Sequence, residues 1–123
     1  MNDCIFCKIV KGEIPSCKIY EDDNVLSFLS IDPEGYGHTL VIPKKHYTDY
    51  EDIPLEELNH INEAGKKVFD KIKTNLNPDG IRLVQNNGFI QEVKHYHLHI
   101  IPVFEENKEG KENFEEVMNE IIK

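Results

Sequence analysis

The segment Lys94-His95-Tyr96-His97-Leu98-His99-Ile100-Ile101-Pro102-Val103-Phe104 alternates histidines with aromatic or apolar residues in its first half. Strict alternation is typical of a half-buried β-strand, so the sequence predicts a strand over 94–104. Successive side chains of a strand point to opposite faces, so the three histidines should share one face. The core face would then hold Tyr96, Leu98 and Ile100.

Three histidines in register indicate a catalytic or ligand-binding strand rather than a polar surface. A strand rises about 3.3 Å per residue, which places neighbouring histidines about 6.6 Å apart and the outer pair about 13 Å apart. One metal ion therefore cannot easily bind all three rings. Imidazole titrates near neutral pH, so adjacent rings can divide the roles of nucleophile, proton donor and metal ligand. Attack of a neutral ring on phosphorus, with a second ring delivering the leaving-group proton, is chemistry that this strand could perform.

The sequence before this strand predicts one short helix and three strands. Gly12 and the Ile14-Pro15 step should end the helix, because the residue before a proline is pushed out of helical geometry. The turns Asp22-Asp23-Asn24 and Asp32-Pro33-Glu34-Gly35 separate the strands. The predicted bounds are 5–11 for the helix and 18–21, 25–30 and 37–43 for the strands.

A long amphipathic helix is predicted from Pro54 to Leu76, where apolar residues recur every three or four positions. Asn77-Pro78-Asp79-Gly80 should close it before a strand over 81–85. A charged loop over 105–112 and a helix over 113–123 follow, with an apolar face made of Phe114, Val117, Met118 and Ile121. This order favours an α+β fold with an antiparallel sheet of about five strands, one main helix and shorter terminal helices.

Length and charge restrict the class of protein. A chain of 123 residues fits one domain spanning 1–123. The net charge of −9 argues against nucleic-acid and anionic-membrane partners, but not against a small phosphorylated ligand, which a few local groups can bind. No apolar stretch approaches the roughly 20 residues of a membrane helix and no signal peptide is evident, so we expect a cytoplasmic location.

Cys4 and Cys7 form a C-x-x-C pair, and Cys17 is left over. An odd count fits reduced thiols or metal ligands better than a disulfide framework. The pair supplies half of a zinc site, and the remaining ligands must come from elsewhere in the chain. Free thiols are the alternative, and a thioredoxin-like motif is disfavoured because no strand precedes Cys4. Cys17 should pack as a small hydrophobic residue.

Several motifs together resemble one family. They are the H-x-H-x-H run at 95–99 followed by two isoleucines, CIFCKI at 4–9, GEIP at 12–15, GHTLVIPKKH at 37–46 and NNG at 86–88. Over about residues 4–102 the chain is similar to the histidine-triad (HIT) family of nucleotide hydrolases and transferases. The motif-bearing core would span about 4–104, with the charged loop and last helix over 105–123.

The resemblance implies a homodimeric fold in which His97 attacks the α-phosphate of a nucleotide and becomes nucleotidylated, after which water releases the nucleoside monophosphate. His38 and His99 would line the phosphate site, with His99 handling the leaving-group proton. Asn86 would contact phosphate, and Gln91 would supply polar contacts beside it. The family's apolar slot for the base corresponds to Ile5, Phe6, Ile9, Phe28 and Ile31, which are equally good core residues.

Two departures concern the substrate. Ser30 stands where the family usually has an aspartate that accepts hydrogen bonds from ribose, so nucleoside affinity should be reduced. Asp32, two residues further on, is the alternative acceptor. The loop between Gly88 and Gln91 is about two residues shorter than usual and has Ile90 where a glycine is common. Such a loop could change which phosphate or leaving group is accepted.

In bacterial-type members of the family, the pattern resembles a structural Cys2His2 zinc site, made here of Cys4, Cys7, His46 and His95. The leading functional hypothesis is hydrolysis of nucleoside phosphoramidates or related purine nucleotidyl conjugates through a covalent His97 intermediate. The alternatives are a nucleotide sensor with weak turnover, a dinucleoside polyphosphate hydrolase, and a metalloenzyme whose histidines bind a catalytic metal.

Overall fold

The computed structural model describes residues 3–106 and 113–123. All strand pairs are antiparallel, and the sheet order is β1-β2-β3-β5-β4. This confirms the predicted α+β class with a five-stranded antiparallel sheet. The strands are β1 (Lys18–Glu21), β2 (Val25–Leu29), β3 (Thr39–Pro43), β4 (Gly80–Val84) and β5 (Leu98–Val103).

Three α-helices cover the two faces of the sheet: α1 (Ile5–Val10), α2 (Leu55–Leu76) and α3 (Phe114–Ile122). Helices α2 and α3 pack on one face in a cluster that includes Val41, Ile61, Val68, Ile100 and Ile121. Helix α1 packs on the other face in a smaller cluster of Phe6, Ile9, Leu26, Phe28, Leu40 and Ile42. Because both faces are covered, all residues of β2 and β3 are buried.

The helices lie where the apolar spacing predicted them. Helix α2 follows Pro54 and ends at Asn77, which adopts left-handed geometry at φ 51°. On α3, Val117 and Ile121 are buried and Phe114 and Met118 are partly buried, as the apolar face predicted. The last six residues of the predicted 105–112 loop lie outside the described part of the chain.

The predicted strand over 94–104 is wrong in its first half, because β5 begins only at Leu98. Its partner β3 pairs with it from Thr39 to Val41, and the last residue of β3 is Pro43, which has no N–H for a ladder. The Tyr96 N–H donates instead to the Tyr47 carbonyl at 2.7 Å. The alternation itself is confirmed on the core side, where Tyr96 and Ile100 are buried against α2 and Leu98 is partly buried.

The predicted start of β3 at residue 37 is also wrong, because Gly37 has a φ of +86° and the strand begins at Thr39. A Cβ at this position would lie 2.5 Å from the Leu76 Cδ1 atom at the end of α2. Gly37 therefore provides both an unusual backbone conformation and room for the helix end.

We expect Gly37→Ala to lower the free energy of unfolding by about 2–4 kcal/mol, from left-handed strain and overpacking together. Urea denaturation measures the change. Gly80→Ala is the matched control, since a Cβ there meets nothing within 4 Å, and it should stay within about 0.5 kcal/mol of wild type. Equal stability of the two variants would contradict this assignment.

Within residues 3–106 and 113–123, no helix combines the length and hydropathy that a membrane span requires.

Candidate active site and metal centre

The three histidines of the H-x-H-x-H run go to two different places. His95 is fully buried beside the C-x-x-C pair, whereas His97 and His99 line a cavity together with His38. The rings of His97 and His99 lie 4.7 Å apart between centroids. The three rings are thus not grouped around one metal position, as the sequence predicted. The first three residues of the run, 95–97, are however not part of β5.

The first turn of helix α1 places Cys4 and Cys7 next to each other. Cys4 caps the helix, its Sγ accepting the Cys7 N–H at 3.4 Å, and residues three apart on a helix are neighbours. His46, in the loop after β3, and His95 complete a group whose four ligand atoms all lie within 4.8 Å of one another.

The spacing of these atoms fits a tetrahedral metal ion. The S–N distances are 3.3 Å from Cys7 to His46, 3.4 Å from Cys4 to His95 and 3.6 Å from Cys7 to His95. Bonds of about 2.3 Å to sulfur and 2.0–2.1 Å to nitrogen give tetrahedral S–N edges of about 3.5 Å. These four residues can therefore hold a metal ion near the end of β3 and the start of β5.

The tautomer of His95 also suits metal binding. Its Nε2 lies 2.8 Å from the Pro43 carbonyl oxygen, which can only accept, so Nε2 carries the proton. The lone pair is then on Nδ1, the atom that faces both cysteines. A backbone carbonyl that orients a ligating imidazole in this way is the usual support of such sites.

His97 has the opposite tautomer. Its Nδ1 donates to the His95 carbonyl oxygen at 2.7 Å, which leaves the lone pair on Nε2. The Phe6 ring packs edge-on against it at 5.1 Å, and burial lowers the pKa of His97, so the neutral ring is favoured. His97 can thus act as a nucleophile through Nε2.

His38 and His99 form a pair next to His97. The Nε2 of His38 lies 3.0 Å from the Nδ1 of His99, and strand pairing of β3 with β5 brings them together. Burial, with a smaller effect of neighbouring imidazoles, lowers the pKa of both rings to about 4. Both are therefore neutral in the free protein near pH 7.

These lowered pKa values predict that the protein loses stability in acid. Between the ordinary histidine pKa of 6.5 and about 4, the unfolded chain binds protons at these two positions that the folded chain does not. The free energy of unfolding should therefore fall as the pH drops through this range and level off below it. The slope is about 1.4 kcal/mol per pH unit for a fully titrating group, and less for His99, which is only partly buried.

Urea unfolding between pH 4 and 8 measures this slope. The difference between wild type and His38→Gln isolates the contribution of His38, because the two proteins share every other titratable group. A His38→Gln protein with the full wild-type slope would show that His38 does not contribute.

The cavity beside the histidines has a volume of about 560 Å³, within the range of small-ligand sites. It brings together nearly all residues that the sequence placed at a nucleotide site. Phe6, Ile9 and Phe28 form its inner wall and also belong to the core cluster under α1, so the slot and core interpretations both apply. Ile31, which is 79% exposed, lies at the rim. The other predicted members are Ile5, Ser30, His38, Asn86, His97 and His99.

Gln91 and Ser30 have roles in the protein that the sequence did not predict. Gln91 is buried, is not among the lining residues, and donates through Nε2 to the Thr48 carbonyl at 2.6 Å. The Ser30 hydroxyl accepts the Asp32 N–H at 3.2 Å and so shapes the turn before His38. Both side chains thus hold loops next to the site.

Sequence analysis missed several lining residues. Leu40 lies two residues after His38, so the strand period of two would have placed both side chains on the same face. No local pattern marks Ile14, Pro15, Val93 and Glu92 as neighbours of the cavity, because separate loops bring them there.

Comparison with known proteins is consistent with this geometry. The sequence model of the HIT domain family matches residues 11–106. An uncharacterised HIT-like protein of Methanocaldococcus jannaschii is 50% identical over 104 residues, which cover 83% of this chain and 80% of that protein. An adenosine 5'-monophosphoramidase of Candida albicans is 44% identical over 105 residues, covering 80% and 69%. A zinc-bound histidine triad family protein of Mycobacterium smegmatis superposes with a TM-score of 0.90 at 36% identity, covering 98% and 91%.

Proposed function

The chain belongs to the HIT family, and from this premise we propose that it hydrolyses nucleoside phosphoramidates or related nucleotidyl conjugates through a covalent nucleotidyl-histidine intermediate. One observation supports this most directly. Two adjacent imidazoles, His97 with a lone pair on Nε2 and His99 beside it, line one cavity of about 560 Å³. The relative from Candida albicans, an adenosine 5'-monophosphoramidase, supports the choice of substrate.

The proposed first step transfers the nucleotidyl group to the protein. The His97 Nε2 lone pair forms a bond to the α-phosphorus, and the bond from phosphorus to the leaving nitrogen breaks, its electron pair going to that nitrogen. The phosphate charge raises the pKa of a nearby imidazole, so His99 takes up a proton with the substrate and passes it to the leaving group.

In the second step, water attacks phosphorus and the bond to His97 breaks. One water proton goes to His99, which releases it to solvent once the phosphate leaves, and the products are the nucleoside monophosphate, the free amine and the starting protein with neutral His99. Asn86 would hydrogen-bond the phosphate, and Ile5, Phe6, Ile9, Phe28 and Ile31 would hold a purine base.

We assign the metal centre to zinc, bound by Cys4, Cys7, His46 and His95. A site with four protein ligands leaves no position for substrate, so the ion would be structural. The zinc-bound relative from Mycobacterium smegmatis supports this assignment. The homodimer stays a prediction from the family resemblance.

Rapid quench followed by intact mass spectrometry tests the proposal. With adenosine monophosphoramidate we expect the protein mass to increase by one adenylyl group, and peptide mapping should place it on His97. Turnover of this substrate without any adduct on His97 would contradict the covalent route. Faster turnover of a dinucleoside polyphosphate, or nucleotide binding with almost no turnover, would favour the alternative functions.

A further inference from the structure

A backbone amide of the turn Asp32-Pro33-Glu34-Gly35 contacts a histidine of the cavity. The Glu34 N–H donates to the Nδ1 atom of His38 at 2.9 Å. A backbone N–H can only donate, so His38 must accept at Nδ1 and, being neutral, must carry its proton on Nε2. The tautomer of a buried cavity histidine thus depends on a main-chain amide.

The same constraint passes to the next ring. With its proton on Nε2, His38 donates to the Nδ1 atom of His99 at 3.0 Å. A neutral His99 that accepts at Nδ1 must carry its own proton on Nε2. That Nε2 atom is buried and has no hydrogen-bond partner among the described residues, although its ring lines the cavity. A buried donor without a partner is costly, and an acceptor atom of a ligand would satisfy it.

We infer that the Glu34 backbone amide is a positioning group that, through His38, sets the tautomer in which His99 meets the substrate. His99 then offers an N–H, while the neighbouring His97 offers a lone pair because its Nδ1 is tied to the His95 carbonyl. Two main-chain groups, one a donor and one an acceptor, therefore make two adjacent histidines chemically different. The catalytic value of this difference depends on the proposed function, but the tautomers themselves do not.

Packing keeps the amide in place. A Cβ at Gly35 would lie 2.8 Å from the Pro102 carbonyl oxygen on β5, so the turn lies close against the strand that carries His99. The His38 N–H also donates to the Gly35 carbonyl at 3.1 Å, and the Ser30 N–H donates to the His38 carbonyl at 2.9 Å. The Glu34 amide and the His38 ring are thus parts of one tight loop.

The network also favours the neutral state of the pair. Adding a proton to His99 at Nδ1 would set two N–H groups against each other at the 3.0 Å contact. To avoid this, His38 would have to move its proton to Nδ1 and face the Glu34 N–H. The proposed uptake of a proton by His99 therefore has to be driven by the charge of the bound phosphate.

Nitrogen-15 NMR of the wild-type protein tests the inference directly. Protonated and unprotonated ring nitrogens resonate in separate regions, and couplings to the ring protons identify each atom. His38→Gln and His99→Gln spectra assign the signals. We expect both rings to be protonated on Nε2 near pH 7. A His38 ring protonated on Nδ1, or an even mixture of tautomers, would overturn the inference.

A matched pair of variants tests the amide itself. Glu34→Pro removes both the carboxylate and the N–H, whereas Glu34→Ala removes the carboxylate alone. Losing one hydrogen bond of about 1.4 kcal/mol corresponds to about tenfold, so Glu34→Pro should have a kcat/KM about tenfold below that of Glu34→Ala and a changed His38 tautomer. Equal kcat/KM and equal tautomers in the two variants would refute the role of the amide.

The outcomes separate this inference from the proposed function. If the tautomers are as expected but no nucleotide conjugate is hydrolysed, the proposed function fails and the positioning role of the amide stands. If conjugates are hydrolysed but His38 is protonated on Nδ1, only the inference fails. If Glu34→Pro does not fold, the wild-type spectrum alone decides.

Discussion

His97→Ala is expected to lower kcat for nucleoside phosphoramidate hydrolysis by about 10⁴-fold or more and to abolish the adenylyl adduct. Removing the nucleophile of a covalent mechanism usually has an effect of this size. In this cavity the neighbouring His99 cannot simply replace it. Its Nδ1 accepts from His38, so its lone pair is already used and its Nε2 carries a proton. Steady-state kinetics and intact mass spectrometry measure the two effects.

The control must separate lost chemistry from lost folding. His97→Ala should still bind one metal ion per chain, because the His97 side chain is not among the four ligands. His60→Ala is the matched histidine variant, since His60 lies on α2 next to Glu57, 3.7 Å away, and outside the cavity. It should keep wild-type kcat. Adduct formation in His97→Ala, at His99 or elsewhere, would refute the assignment of the nucleophile.

The second large effect is expected at the metal centre. Purified protein should contain about one zinc ion per chain, and removing it should lower the free energy of unfolding. The loss should reach about 4 kcal/mol when free zinc had been a thousandfold above its dissociation constant. Cys7→Ser should abolish high-affinity binding and cause the same loss. Metal analysis and urea denaturation, each with and without added zinc, measure these changes.

Cys17→Ser is the matched cysteine control. Cys17 is a free thiol that packs against the main core, as predicted, and is not one of the four ligands. Its replacement should leave the zinc content at one per chain. Zinc content that is unchanged in Cys7→Ser, or lost in Cys17→Ser, would contradict the proposed ligand set.

Zinc removal should also lower activity without zinc taking part in the chemistry. The His95 ring faces both cysteines, while its carbonyl holds the His97 ring by the 2.7 Å hydrogen bond. A metal ion on His95 would thus fix the backbone that orients the nucleophile. Folded, zinc-free protein should therefore show reduced but measurable kcat, whereas a catalytic metal would leave none.

Much of the fold was predictable because its elements are encoded by local patterns. The three- and four-residue spacing predicted a helix from Pro54 to Leu76, and α2 is observed at Leu55–Leu76. The Asp22 turn marked the β1–β2 hairpin, where Asp22 Oδ1 accepts the N–H groups of Asn24 and Val25 at 2.8 Å. The errors lie at strand ends. β5 could include His95 only if β3 continued beside it. β3 ends instead at Pro43, which is 52 residues from His95, so no local pattern around His95 reveals this end.

The candidate site likewise combines features that local sequence predicts with features that depend on distant residues. Its residue types were predicted from motifs, since histidines and cysteines at these spacings have few structural uses. Their partners were not, because Gln91 holds the Thr48 loop and the Glu34 amide holds the His38 ring through contacts that no short-range pattern encodes.

The sequence by itself determined the α+β class, the helix positions, the cysteines and histidines that could hold a metal ion, and the set of histidines that line the cavity. The tertiary structure alone decided how the three histidines of the H-x-H-x-H run differ. On a uniform strand they would be equivalent apart from position, but each ring here meets a different hydrogen-bond partner: the Pro43 carbonyl for His95, the His95 carbonyl for His97 and the His38 ring for His99. A tautomer depends on the atom that faces each ring nitrogen, and only the folded chain places those atoms.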